Sequence, residues 1–127
     1  MSRLIKFRQW ITAYKRWHVW GFLQPGIFTG PENPTDPSCE FTGLLDRHGK
    51  EICEGDVVEF VKEAQVIDLQ DRKPRRRIVK WDDENARFDF YWMNHQRQTS
   101  GYMFTKNNLL SAEILGNIYE QPESMKP

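Results

Sequence analysis

Short apolar runs, broken by turn-forming residues every 8 to 12 positions or so, make up most of this chain, and the pattern predicts an all-β fold with little helix. Residues 4 to 22 are two-sided: Phe7, Trp10, Tyr14 and Trp17 fall at a helical spacing, whereas Ile5, Phe7 and the run from Trp17 to Phe22 suit strands. Their density of aromatic and β-branched residues, with no clear N-cap, decides for two strands, 4 to 11 and 16 to 22, joined near Thr12 to Lys15. Gln24 to Ser38 holds Pro25, Gly26, Gly30, Pro31, Pro34 and Pro37, so a regular element is not expected there. A surface loop of this length is often functional, which makes it a candidate binding edge.

The middle of the chain gives a sharper signal. Phe41 to Leu45 supplies an apolar strand, Asp46-Arg47-His48-Gly49 a turn with glycine where positive φ is needed, and Lys50-Glu51-Ile52 the return. Glu54-Gly55-Asp56 bends the chain again into a strand over Val57 to Val61. Lys62 to Lys73 is polar and compatible with a short helix, a strand extension or a loop. Arg77 to Trp81 and Arg87 to Trp92 flank an acidic turn, and Phe88, Phe90 and Trp92 alternate with Arg87, Asp89 and Tyr91, the clearest amphipathic hairpin in the sequence. Tyr102 to Phe104 predicts a short strand, Thr105 to Leu110 a helical turn, and Ala112 to Tyr119 a last strand with Gly116 as a bulge, before a frayed tail from Pro122.

Composition adjusts this picture rather than replacing it. At 127 residues one core and one domain are expected. The 18 basic and 18 acidic residues cancel, so electrostatic partners must be recruited by a local patch. Five Trp and eight Phe argue for an aromatic-rich core. Two cysteines are too few for a disulfide scaffold, and neither a signal-peptide run nor a membrane-length apolar stretch is present; a soluble, cytoplasmic protein with free thiols is expected.

Three pieces of the sequence line up with a known family: Ile5-Lys6-Phe7-Arg8-Gln9-Trp10, then Phe41-Thr42-Gly43-Leu44 through Gly49-Lys50-Glu51-Ile52 to Glu54-Gly55-Asp56-Val57-Val58, and finally Ile114-Leu115-Gly116-Asn117-Ile118-Tyr119-Glu120. In this order they resemble the YopX family of phage and prophage proteins. Ile11 stands where that family commonly has an acidic residue, and Cys53 where it commonly has an aromatic one. The resemblance implies a small SH3-like barrel encoded by mobile elements, with no established activity and no assigned catalytic residues. Strand spacing points the same way: a closed or partly closed barrel over 38 to 120, an N-terminal hairpin over 1 to 23 packed against it, a Pro/Gly-rich loop over 24 to 38, and a tail over 121 to 127.

Candidate chemistry is sparse. Arg72, Lys73, Arg75, Arg76 and Arg77 place five basic residues in a six-residue window suited to phosphate or partner contact, although Asp82-Asp83-Glu84 stand ready to pair with them. Cys39, His48, Cys53, His18 and His95 match no metal-ligand spacing, and neither cysteine has an evident base beside it. Asp46, Glu54 and Asp56 read as turn residues rather than an acid/base pair. The expectation is therefore a non-enzymatic protein without metal, small-molecule cofactor or membrane partner. It would bind through self-association or a protein partner, with nucleic-acid binding by Arg72 to Arg77 as the rival.

Overall fold

A computed structural model of the protein describes residues 5–60, 76–97 and 104–121. The N-terminal segment is a hairpin, as its aromatic content predicts: β1 (Lys6–Ile11) pairs antiparallel with β2 (Arg16–Gln24), from Lys6↔Gly21 to Ile11↔Arg16. The sheet pleat, not a helix, brings the aromatics together. Phe7 stacks on Trp20 at 4.4 Å, and Trp10 meets Trp17 edge-on at 5.2 Å on the opposite face.

The proline-rich stretch is loop only in part. Pro25-Gly26 forms a two-residue turn, with Gly26 at φ 79°, and returns the chain as β3 (Ile27–Thr29) along β2. Proline removes a donor only where it stands; Ile27, Phe28 and Thr29 keep theirs and favour extended backbone. The expected structureless segment is thus a turn, a strand and a loop that runs from Gly30 to Pro37.

β4 (Ser38–Leu45) pairs with β1 on one side and β5 (Glu51–Cys53) on the other, giving one sheet in the order β3-β2-β1-β4-β5. β6 (Asp56–Phe60), β7 (Arg76–Asp82), β8 (Arg87–Tyr91) and β9 (Ala112–Asn117) make a second, ordered β8-β7-β6-β9. The all-β expectation stands. The barrel does not close: among the described residues the ladders form two antiparallel sheets, because β5 and β6, though consecutive, pair with different neighbours. The N-terminal hairpin is accordingly part of the first sheet rather than an appendage packed on a barrel. In β9 the register shifts so that Leu115 is the extra residue, next to the expected Gly116. The single helical turn α1 (Lys106–Leu109) is capped by Thr105, whose Oγ1 accepts the N–H of Asn108 at 3.2 Å.

The core joins Ile52, Val58, Phe60, Val79, Phe88, Phe90, Leu109 and Ala112, with Leu44, Phe104 and Ile114 packed against it. Phe60 and Phe104 each meet Phe90 at 5.1 Å, and burying such a ring is worth about 2 kcal/mol. No tryptophan belongs to this core; Trp81 and Trp92 are exposed, and the other three are half-buried. Residues 61–75, Tyr102 and Met103, and the tail from Pro122 lie outside the described residues, so the expectations for them do too. Among the described residues no helix is long and apolar enough to cross a membrane.

The Asp46 turn fixes β9 as well as its own hairpin. Gly49 takes the expected positive φ of 80°. The Asp46 carboxylate accepts the N–H groups of His48 (2.8 Å) and Lys50 (2.9 Å) within the turn and that of Ile114 (3.1 Å) across to β9. Burial alone would raise its pKa, but these backbone donors outweigh it and hold the carboxyl below the usual range. A depressed native pKa gives stability that is present above the unfolded value of about 3.9 and is lost as pH falls through it toward the native one. Asp46→Ala is expected to lower unfolding free energy at neutral pH by about 2 kcal/mol in urea titration, and the gap to the parent protein should shrink below about pH 4.

Candidate functional site

The three stretches that carry the family resemblance meet in space at one carboxylate. Asp56, at the start of β6, is 2% exposed and accepts from both sheets. Arg8 of β1 donates through Nη2 at 2.5 Å, the backbone N–H of Cys53 in β5 at 2.8 Å, and Asn117 of β9 through Nδ2 at 3.0 Å. Gly55 makes this possible: it sits at φ 88°, and a Cβ there would lie 2.7 Å from the Tyr119 ring. Its N–H donates to the Val79 carbonyl, and its own carbonyl accepts from Ile118. Burial pushes the Asp56 carboxyl up, against the pull of Arg8 and the Asn117 and Cys53 donors. The carboxylates expected to serve as turn residues therefore do more than that: Asp46 ties β9, and Asp56 joins the sheets.

Arg8 completes the joint with an aromatic contact. Its guanidinium lies 4.0 Å from the Trp17 ring centre, and the Trp17 indole N–H reaches Glu120 at 3.1 Å. A cleft of about 380 Å³ opens here, lined by Arg8, Trp17, Lys50, Asp56, Asn117 and Glu120 among others. Its arginine and buried aspartate neutralise each other, so the cleft floor is a structural joint. Behind it, burial pushes the Cys39 thiol and the Tyr119 hydroxyl each up to about 12. Cys53 is pushed up by burial as well, and its Sγ points to the carbonyls of Cys39 and Glu40 at 3.4 Å. Thiols in such surroundings stay protonated at neutral pH, which is the opposite of an activated nucleophile.

Of the five basic residues singled out for partner contact, two are described. Arg72, Lys73 and Arg75 lie outside the described residues. Arg76 opens β7 half-buried, while Arg77 is 2% exposed with its guanidinium 3.9 Å from the Trp92 ring centre, inside the protein rather than offered to a phosphate. In the acidic turn after β7, Asp82 accepts from Asn85 and Arg97. His18, His48 and His95 sit on β2, the β4–β5 turn and the turn after β8, where they meet the Gly30 carbonyl, Glu113 and Lys80.

An aromatic row along the first sheet has no counterpart in the sequence expectations. Phe7 stacks on Trp20, Trp20 meets Phe28 at 6.2 Å, and Phe28 meets Phe22 at 5.3 Å. Phe22 and Phe28 keep 43% and 59% of their surface exposed, beside Ile27 and Leu23. Further along the same face the loop from Gly30 covers Gln9, which is 1% exposed. Gln9 donates from Nε2 to the carbonyls of Asn33 and Asp36 and accepts at Oε1 the N–H groups of Glu32 and Asn33. The loop expected to be a candidate binding edge is thereby strapped to β1. Period-two counting on β1 and β2 would have revealed the row, had β3 been anticipated.

The sequence pattern of the YopX protein family matches residues 27–126, most of the chain, and the chain belongs to that family. The Ile5–Trp10 stretch precedes the matched residues. The fold is similar to the crystal structure of protein EF1440 from Enterococcus faecalis, with a TM-score of 0.66 at 21% identity, covering 98% of this chain and 100% of that one. No curated protein matches the sequence.

Removing Arg8 strands a buried carboxylate, so Arg8→Met is expected to cost about 3 to 5 kcal/mol in chemical unfolding, with part of the loss restored by adding Asp56→Asn. Gln9→Leu is expected to cost about 1 to 2 kcal/mol and to speed limited proteolysis within 30 to 37, read by mass spectrometry of the fragments.

Proposed function

We propose that this YopX-family protein is a non-enzymatic binding or assembly protein, encoded by a phage or prophage and working in the bacterial cytoplasm, that docks a protein partner on the aromatic face of its β2–β3 hairpin. The observation that carries this is the open end of the aromatic row. Phe22 and Phe28, two rings in contact, remain about half exposed while smaller apolar side chains elsewhere are fully buried. Contiguous apolar surface of this kind is costly to leave in water and marks contact sites. The non-enzymatic part draws support from the jobs the titratable groups already hold: Asp56 and Asp46 join strands, and both thiols are buried and protonated. Nucleic-acid binding, the rival, loses Arg77 to the Trp92 contact and would fall to Arg76 and the basic residues before it.

Affinity capture from phage-carrying cells with the parent protein and with Phe22→Ser/Phe28→Ser tests this. A protein retained by the parent and reduced about tenfold or more by the double variant is the expected result. Retention of DNA or RNA at low ionic strength, lost with added salt and indifferent to the two phenylalanines, would put the nucleic-acid reading in its place.

A further inference from the structure

The aromatic face ends at β3, and β3 differs from the other three strands that edge the two sheets. Free edges expose unpaired backbone groups and invite pairing unless they are charged, bulged or covered. Among the described residues, β9 is covered by the β4–β5 turn, through Arg47 N–H to the Ala112 carbonyl at 2.8 Å and Ile114 N–H to Asp46, and it carries a bulge. β8 carries Arg87 and Asp89, and Arg97 bridges to Tyr91 along its outer side. β5 begins with Glu51, bonded to Lys6, and lies between Lys50 and Glu54. β3 is Ile27-Phe28-Thr29, without charge, proline or bulge of its own; the register shift with β2 falls on the β2 side, at Leu23.

The backbone of β3 is aimed outward at its centre. Phe22 donates its N–H to the Ile5 carbonyl, on the β1 side. Its cross-strand partner Phe28 is therefore in a pair that exchanges no backbone bonds with β2, and the Phe28 N–H and C=O point away from the sheet.

We propose that β3 pairs antiparallel with β3 of a second copy of this chain, about a two-fold axis through Phe28. Phe28 stands opposite its own equivalent, each exchanging N–H and C=O bonds with the other, and the two five-stranded sheets become continuous. This deepens the preceding reading by naming a second copy as the partner of the aromatic face. Charge selects that occupant. From Gly21 to Pro31 the chain holds no charged side chain, and the whole protein is formally neutral, so two copies meet without repulsion while a charged partner finds nothing to engage. Three residues of edge give few hydrogen bonds, and the exposed parts of Phe22, Leu23 and Ile27 add apolar area toward the roughly 800 Å² per copy that a standard interface buries.

Sedimentation equilibrium on the full chain, with circular dichroism to confirm the fold of each variant, tests the pairing. The parent is expected to dimerise at micromolar concentration. Phe28→Lys and Phe28→Glu, each placing like charges across the axis, should each raise the dimer dissociation constant by about tenfold or more, and an equimolar mixture of the two should dimerise again. A Phe28→Cys variant should form a cross-chain disulfide under mild oxidation, since a hydrogen-bonded antiparallel pair sets Cα atoms about 5.5 Å apart. A monomeric parent, charged variants that dimerise unchanged, or a mixture that stays monomeric would each overturn the two-fold. Capture of a different protein that depends on Phe22 and Phe28, together with a monomeric parent, would overturn this inference and leave the binding role standing.

Discussion

Everything in this fold depends on a buried carboxylate that four strands share. Asp56 belongs to β6 in one sheet, yet it is held by Arg8 and by the Cys53 N–H from the other and by Asn117 from its own. Burying a charge costs several kcal/mol, and only a full set of partners makes it tolerable. The carboxylate thus works as a test of assembly: if either sheet is displaced, a charge is stranded. Packing alone would not impose this, because the main core of Ile52, Phe60, Val79 and Phe90 draws on β4 and β5 but not on the N-terminal hairpin. Among the described residues, Arg8 and the Trp17 to Glu120 bond that accompanies it hold β1 and β2 against the second sheet.

Once β1 is fixed, the other features of the first sheet follow. Gln9 points to the face opposite Arg8 and straps the loop from Gly30, while Phe7 and Trp20 seed the aromatic row that β3 extends. The inward face is thereby spent on holding the molecule together, and the outward face remains for contact. Among the described residues, protected edges on β5, β8 and β9 and a bare one on β3 place strand-to-strand contact at the same end. Binding surface and fold are two faces of one hairpin.

The local parts of this were legible in the sequence. Composition chose strands over a helix for the first hairpin, and the Asp46 to Gly49 turn, the strand that opens at Arg87 and the helical turn after Thr105 all lie within short windows where spacing carries the information. The joint was not legible as a joint. Arg8 and Asn117 stand 48 and 61 residues from Asp56, and no periodicity reports a contact at that separation. Their membership in the three stretches that resemble one family was the available hint, since each stretch contributes one member of the cluster. β3 was hidden for a different reason: prolines on either side masked a three-residue strand that a Pro-Gly turn sets up. Tryptophan content also misled, because bulky indoles went to the sheet surface and phenylalanine filled the core. Within the basic run, charge does not announce that Arg77 turns inward to stack on Trp92.

The claim that Asp56 welds the two sheets is tested most directly by native-state hydrogen exchange, residue by residue, in low denaturant. The account predicts that the Cys53 N–H exchanges only with global unfolding, and that the backbone amides pairing β1 with β2 and β6 with β9 share that same opening free energy. If the β1–β2 amides instead exchanged through a separate opening well below the global one, while Cys53 remained protected, the hairpin would be an independent unit and the weld would be contradicted.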